Sequence, residues 1–171
     1  MKRLISILDK GEAVMIYPDK NVIVSEVEHL VEKYGFGREN LLPILQEVQR
    51  KFGFISDFAM QEIAHRLDIH PVEVYGVVTF YSFLSTEPKG KYVIRLCKTI
   101  SCDIAGKDAI ARTLERELGL KFGETSADRK FSLEFCHCIG MCDQGPAMLI
   151  NDQVFTKLTP SKVIEIIENI K

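Results

Sequence analysis

Two short runs decide the fold: Tyr92-Val93-Ile94-Arg95-Leu96, which ends at Cys97, and Phe131-Ser132-Leu133-Glu134-Phe135. The first is apolar and rich in β-branched residues. The second alternates apolar with polar, as a half-buried strand does. Between them, residues 105–118 set Ala109, Ile110, Leu114 and Leu118 along one side, the spacing of an amphipathic helix. Strand, helix and strand in this order predict a parallel pair joined by a right-handed crossover. Further on, Ala147 to Ile150 and Val154 to Thr156, joined across Asn151-Asp152-Gln153, read as a hairpin. Thr159 caps a last helix with Pro160 at its first position and Val163, Ile166, Ile167 and Ile170 facing inward. The order over residues 90–171 is β-α-β-β-β-α.

Upstream the pattern is helical. Ser25 and Glu28 form a capping-box pair ahead of Val27, Leu30, Val31 and Tyr34, and Gly35 stops that helix. A second helix carries Leu41, Leu45, Val48 and Phe52, with Pro43 early enough to be tolerated and Gly53 closing it. A third follows the Ser56-Asp57 cap with Met60, Ile63, Ala64 and Leu67. A fourth starts at His70-Pro71 and carries Val74, Val77, Val78 and Tyr81. These four make a small bundle over residues 23–86. Glu87-Pro88-Lys89-Gly90 is the linker, and residues 1–22, with a turn at Tyr17-Pro18-Asp19, are an extension. The expected fold class is α+β: a helical bundle followed by a second, sheet-containing domain.

The 171 residues are 46% hydrophobic and nearly neutral, with 22 basic against 24 acidic side chains. That balance excludes a disordered chain and shows no basic footprint for nucleic acid. No run approaches the ~20 apolar residues of a membrane-spanning helix. The apolar segment after Met1-Lys2-Arg3 is too short for a secretory signal. A cytoplasmic location is expected, where cysteines stay reduced and clusters of them more often bind metal than pair.

Five cysteines carry the chemistry: Cys97, Cys102, Cys136, Cys138 and Cys142. Cys97 and Cys102 follow the first strand; the other three follow the second. In a parallel unit both strands end at the same sheet edge, so the two loops meet although 35 residues separate Cys102 from Cys138. Structural zinc sites usually use tight C-x2-C knuckles, whereas here the spacings are x4 and x3. Wider loops suit a two-iron cluster, and a C-x4-C start occurs in plant-type [2Fe-2S] ferredoxins. Gly106, Gly140 and Gly145 would let the loops pass close to it. Against this stand three alternatives: small buried hydrophobes, a zinc-stabilised interaction module without redox role, and a Cys136/Cys138 dithiol. Iron–sulfur is the preferred reading. His137 is read as an exposed spacer, since a Rieske centre needs two histidines.

Cys97-Lys98-Thr99-Ile100-Ser101-Cys102 with Gly106 resembles the first cluster loop of the thioredoxin-like [2Fe-2S] subunits of NADH-oxidising complexes. Phe131-Ser132-Leu133-Glu134, then Cys138-Ile139-Gly140-Met141-Cys142 and Pro146, resembles their second. Leu42-Pro43-Ile44-Leu45-Gln46-Glu47 and Glu73-Val74-Tyr75-Gly76-Val77-Val78-Thr79-Phe80-Tyr81 are similar to two further signatures of that family. The family includes the small cluster subunit of respiratory complex I, the gamma subunit of NAD-linked and electron-bifurcating [FeFe] hydrogenases, and the matching subunit of NAD-linked formate dehydrogenases.

The resemblance implies a thioredoxin-like domain over residues 90–171 with Cys97, Cys102, Cys138 and Cys142 as ligands of a [2Fe-2S] cluster. It also implies docking on a larger subunit that binds FMN and NAD(H). Cys136 is extra to that pattern, and Lys98 and Ile100 stand where the family usually has small or polar residues. No G-x-G-x-x-G and no P-loop occurs, so a partner must hold any nucleotide. The expected role is that of a one-electron carrier, a non-catalytic subunit of an NAD(H)-dependent oxidoreductase. The altered first loop and the short stretch after the last ligand incline the choice slightly towards an electron-bifurcating hydrogenase over complex I.

Overall fold

The computed structural model describes residues 18–171. They form two compact units, the first ending at Pro88 and the second spanning Lys89–Lys171.

The first unit holds four helices: α1 (Lys20–Tyr34), α2 (Leu41–Phe52), α3 (Asp57–Arg66) and α4 (Pro71–Phe80). Their inward stripes supply one core of Ile23, Val27, Leu30, Ile44, Leu45, Val48, Ile63, Val74 and Val78, among others. Ser56 caps α3 by accepting from the Ala59 N–H at 3.2 Å, and Gly53, left-handed at φ 86°, ends α2. The capping box at Ser25 does not form. The cap of helix α1 lies six residues earlier, where the Asp19 carboxylate accepts from the Asn21 N–H at 2.8 Å. Ile23 explains the shift: it is buried in the bundle, so packing holds the turn before Ser25 helical. Residues 20–22 therefore belong to the helix, while Tyr17 of the expected turn lies outside the described residues.

The second unit builds one four-stranded sheet of order β2-β1-β3-β4, from β1 (Tyr92–Cys97), β2 (Phe131–Cys136), β3 (Met148–Ile150) and β4 (Gln153–Phe155). β1 and β2 are parallel, as expected from the intervening helix, and β3 and β4 are antiparallel. The hairpin turn is tighter than expected: Gln153 pairs with Ile150, which leaves Asn151-Asp152 as the turn with Asn151 at φ 54°.

Helices α6 (Lys107–Leu118) and α7 (Pro160–Ile170) supply Ile110, Leu114, Val163 and Ile167 to a core shared with Ile94, Leu96, Leu133, Met148 and Ile150. Alternation fixes which face this is, and it leaves Arg95, Cys97, Glu134 and Cys136 on the other. The sequence reading missed α5 (Ile100–Ile104), a five-residue turn of helix inside the first cysteine loop. Among the described residues no helix is long and apolar enough to cross a membrane.

Candidate metal centre

β1 and β2 deliver the cysteines to one sheet edge. Cys97 is the last residue of β1, paired in register with Cys136, the last residue of β2. Cys136 thus ends the strand instead of following it. Helix α5 folds Cys102 back against Cys97, and both are buried. Cys138 and Cys142 lie in the loop after β2, are exposed, and bring their Sγ atoms to 3.2 Å. The thiols therefore gather as two pairs, Cys97 with Cys102 and Cys138 with Cys142. Among the described residues no three His, Cys, Asp or Glu side chains converge as they would around a single ion.

Hydrogen bonds separate four of these sulfurs from the fifth. The Thr99 hydroxyl lies 3.1 Å from Cys97 Sγ. Burial opposes ionisation of Cys97. Even so, the Thr99 hydroxyl and N–H, the Cys102 thiol and the Ile139 N–H hold its thiol below the ordinary range. Cys102 accepts from the Ala147 N–H, although burial and then the neighbouring Cys97 push its thiol up. The Gly140 N–H donates to Cys138 Sγ at 3.4 Å. Cys142 is raised by its contact with Cys138, against a lowering hydrogen bond from the Ser101 side chain.

Three of these contacts run from one loop to the other or to β3's approach: Ile139 to Cys97, Ala147 to Cys102, Ser101 to Cys142. Cys136 differs. Its thiol donates to the Arg95 carbonyl at 3.7 Å, and burial pushes it up to about 11. Four sulfurs each receive a hydrogen-bond donor from a neighbouring N–H or hydroxyl, and the fifth donates to a carbonyl.

The glycines divide in a way the sequence did not indicate. Gly106 and Gly140 have open space around them and serve their left-handed φ of 96° and 84°. Gly145 is the close approach: a Cβ there would lie 3.2 Å from Ala105 Cβ and 3.5 Å from Cys102 Sγ. His137 is exposed between Cys136 and Cys138, and Lys98 is exposed beside Cys97. The backbone donors Ile139, Gly140 and Ala147 were not legible in sequence, because an N–H carries no residue signature. Thr99 and Ser101, hydroxyls between two cysteines, could have been read as donors.

The donor set suits a two-iron group. It offers soft sulfur ligands in two pairs, N–H groups aimed at the sulfurs, and a flanking apolar packing of Ala147, Ile139 and Met141.

Comparison with known proteins agrees with this chemistry. A sequence model of the thioredoxin-like [2Fe-2S] ferredoxin family matches residues 27–171. The alpha subunit of the NAD-reducing hydrogenase HoxS of Cupriavidus necator is 39% identical over 147 residues, 86% of this chain but only 24% of that subunit. One component of the NADH-quinone oxidoreductase of Escherichia coli strain K12 is 37% identical over 145 residues, covering 85% of this chain and 87% of that component. Among solved structures, an NAD+-reducing [NiFe]-hydrogenase in its H2-reduced state superposes with a TM-score of 0.69 at 25% identity. That likeness spans 77% of this chain and 22% of the hydrogenase chain. Its relatives are thus subunits of oxidoreductase complexes, some of them about four times its length. Sequence, donor set and fold agree, and the chain belongs to the thioredoxin-like [2Fe-2S] ferredoxin family.

Proposed function

We propose that Cys97 and Cys102 bind one iron and Cys138 and Cys142 the other iron of a [2Fe-2S] cluster, and that this chain serves as a one-electron carrier. The observation that carries the assignment is the hydrogen-bond contrast: four thiols each receive an N–H or hydroxyl donor, whereas the Cys136 thiol only donates, to the Arg95 carbonyl. The cluster, when bound, supplies a site that takes up and releases single electrons. The chain's own residues do the rest. The N–H groups of Ile139, Gly140 and Ala147 and the hydroxyls of Thr99 and Ser101 stabilise thiolate charge. Ala147, Ile139 and Met141 limit water at the buried pair.

In this reading the partner is a larger iron–sulfur subunit that holds FMN and NAD(H), and this chain itself is non-catalytic. The bundle over residues 23–86 is the docking element, and residues 90–171 are the thioredoxin-like cluster domain. The complex works in the cytoplasm. Between the two kinds of complex we take the hydrogenase type, including the electron-bifurcating [FeFe] form, over the complex I type. The altered first loop, with Lys98 and Ile100, supports that choice, and identity is nearly even, 39% to a hydrogenase subunit against 37% to an NADH-quinone oxidoreductase component.

Anaerobic purification from native cells tests this. A flavoprotein that oxidises NADH and a hydrogenase catalytic subunit should co-purify. Co-purification with membrane quinone-reductase subunits instead would sink the hydrogenase choice. A colourless zinc protein with no flavoprotein partner would sink the carrier role itself.

A further inference from the structure

Two residues before their terminal cysteines, β1 and β2 carry charges on the same sheet face. The register sets Arg95 opposite Glu134 and Cys97 opposite Cys136, and alternation places all four side chains on one face. Arg95 Nε donates to Glu134 Oε2 at 3.1 Å, and Lys89 Nζ lies 2.7 Å from Glu134 Oε1. The three side chains are only 20%, 19% and 23% exposed. Two cations against one carboxylate leave a net positive cluster.

Arg95 lies two residues before Cys97, about 6.6 Å along the strand. This is inside the ~10 Å screening length of ordinary buffers, and partial burial weakens the screening further. The Arg95 carbonyl also receives the Cys136 thiol, so the same residue touches the edge of the centre through its backbone.

We propose that Lys89, Arg95 and Glu134 form a fixed charge cluster that sets the midpoint potential of the electron-carrying centre, with Arg95 as the principal tuning residue. The inference rests on the ligand set proposed above. One-electron reduction adds one negative charge at the cysteine loops, which a net positive neighbour favours. Removing Arg95 makes reduction harder, and neutralising Glu134 makes it easier. Lys98, beside Cys97 but exposed to water, acts less and loses its effect in high salt.

The test is a spectroelectrochemical titration of the full chain, purified anaerobically and reduced with dithionite through mediators. Arg95→Gln should lower the midpoint enough to change the reduced-to-oxidised ratio at fixed potential at least threefold, where tenfold corresponds to 59 mV for one electron. Glu134→Gln should raise it. Lys98→Gln should move it less than Arg95→Gln, and not at all in molar salt. Lys89→Gln, which leaves the Arg95–Glu134 pair in place, should shift it in the direction of Arg95→Gln.

Opposite signs distinguish tuning from packing, because loss of packing would move both Glu134→Gln and Arg95→Gln the same way. Shifts of one sign, or an unmoved midpoint with the visible band intact, overturn this inference alone. No dithionite-bleachable band in the unsubstituted protein overturns the ligand set and this inference with it.

Discussion

Gly90→Ala places a methyl group against backbone that cannot yield. A Cβ on Gly90 would lie 2.5 Å from Phe131 C, 2.8 Å from its N and 2.9 Å from its Cα. Carbon atoms prefer about 3.5–4.0 Å, so the linker or the start of β2 must shift by about 1 Å. Phe131 is pinned: it pairs in register with Tyr92, their rings stack at 5.7 Å, and the Tyr92 N–H donates to the Lys130 carbonyl at 2.8 Å. Moving the linker instead strains the Gly90 N–H bond to Ser132 Oγ at 2.7 Å. Overpacking costs about 1–3 kcal/mol, and a weakened hydrogen bond about 1 kcal/mol more.

For a unit of roughly 80 residues each kcal/mol lowers Tm by about 4–8 °C, so a fall of about 10 °C or more is expected. The control is Gly76→Ala. Gly76 lies inside α4 with nothing within 4 Å of an added Cβ, so alanine there should be neutral or stabilise by up to about 1 kcal/mol. Thermal unfolding by circular dichroism and calorimetry reads both. An unchanged Tm for Gly90→Ala would refute the reasoning, as would an equal loss in Gly76→Ala.

Ser56→Ala removes the side chain that accepts from the Ala59 N–H and should destabilise the chain by about 1 kcal/mol in urea unfolding. The Arg50 guanidinium and the Tyr34 hydroxyl hold the Glu47 carboxyl below the usual range. A lowered folded pKa gives stability that is present above the unfolded value and lost as pH falls through the folded one. Glu47→Gln should therefore lower stability at neutral pH and flatten the acid limb below about pH 4.5, so that the two proteins converge in acid; an unchanged acid limb would remove this attribution. Gly145→Ala, with its Cβ 3.2 Å from Ala105 Cβ and 3.5 Å from Cys102 Sγ, should lower iron retention on gel filtration while the circular dichroism spectrum stays unchanged.

The elements that sequence revealed best are those whose packing is periodic. The stripe Val74, Val77, Val78 buries one face of its helix, and burial is what apolar spacing encodes. Along β2 the alternation holds for Phe131 and Leu133 but not beyond, since Ser132 is buried, its Oγ accepting from the Gly90 N–H, and Phe135 is exposed. The meeting of the two cysteine loops was also legible, since a parallel pair has only one edge for both carboxyl ends. Other features were hidden for physical reasons. Ser25 looks like a cap, but Ile23 packs into the bundle and extends the helix past it. Helix α5 is five residues long and exposes Ile100 and Ile104, so its sequence shows no inward stripe. Cys136 ends β2 instead of opening a loop because its main chain still pairs with β1. Nor could spacing show that Gly145 makes the close approach while Gly106 and Gly140 serve their φ angles.

The ligand assignment is tested most directly by iron and sulfide content, read together with the visible spectrum, in anaerobically purified Cys136→Ser and Cys138→Ser variants beside the unsubstituted chain. The unsubstituted protein and Cys136→Ser should each hold about two irons and two sulfides, as a [2Fe-2S] cluster requires, with a band that dithionite bleaches, and Cys138→Ser should lose all of it. Retention in Cys138→Ser with loss in Cys136→Ser, or a colourless protein with one zinc, would contradict the account.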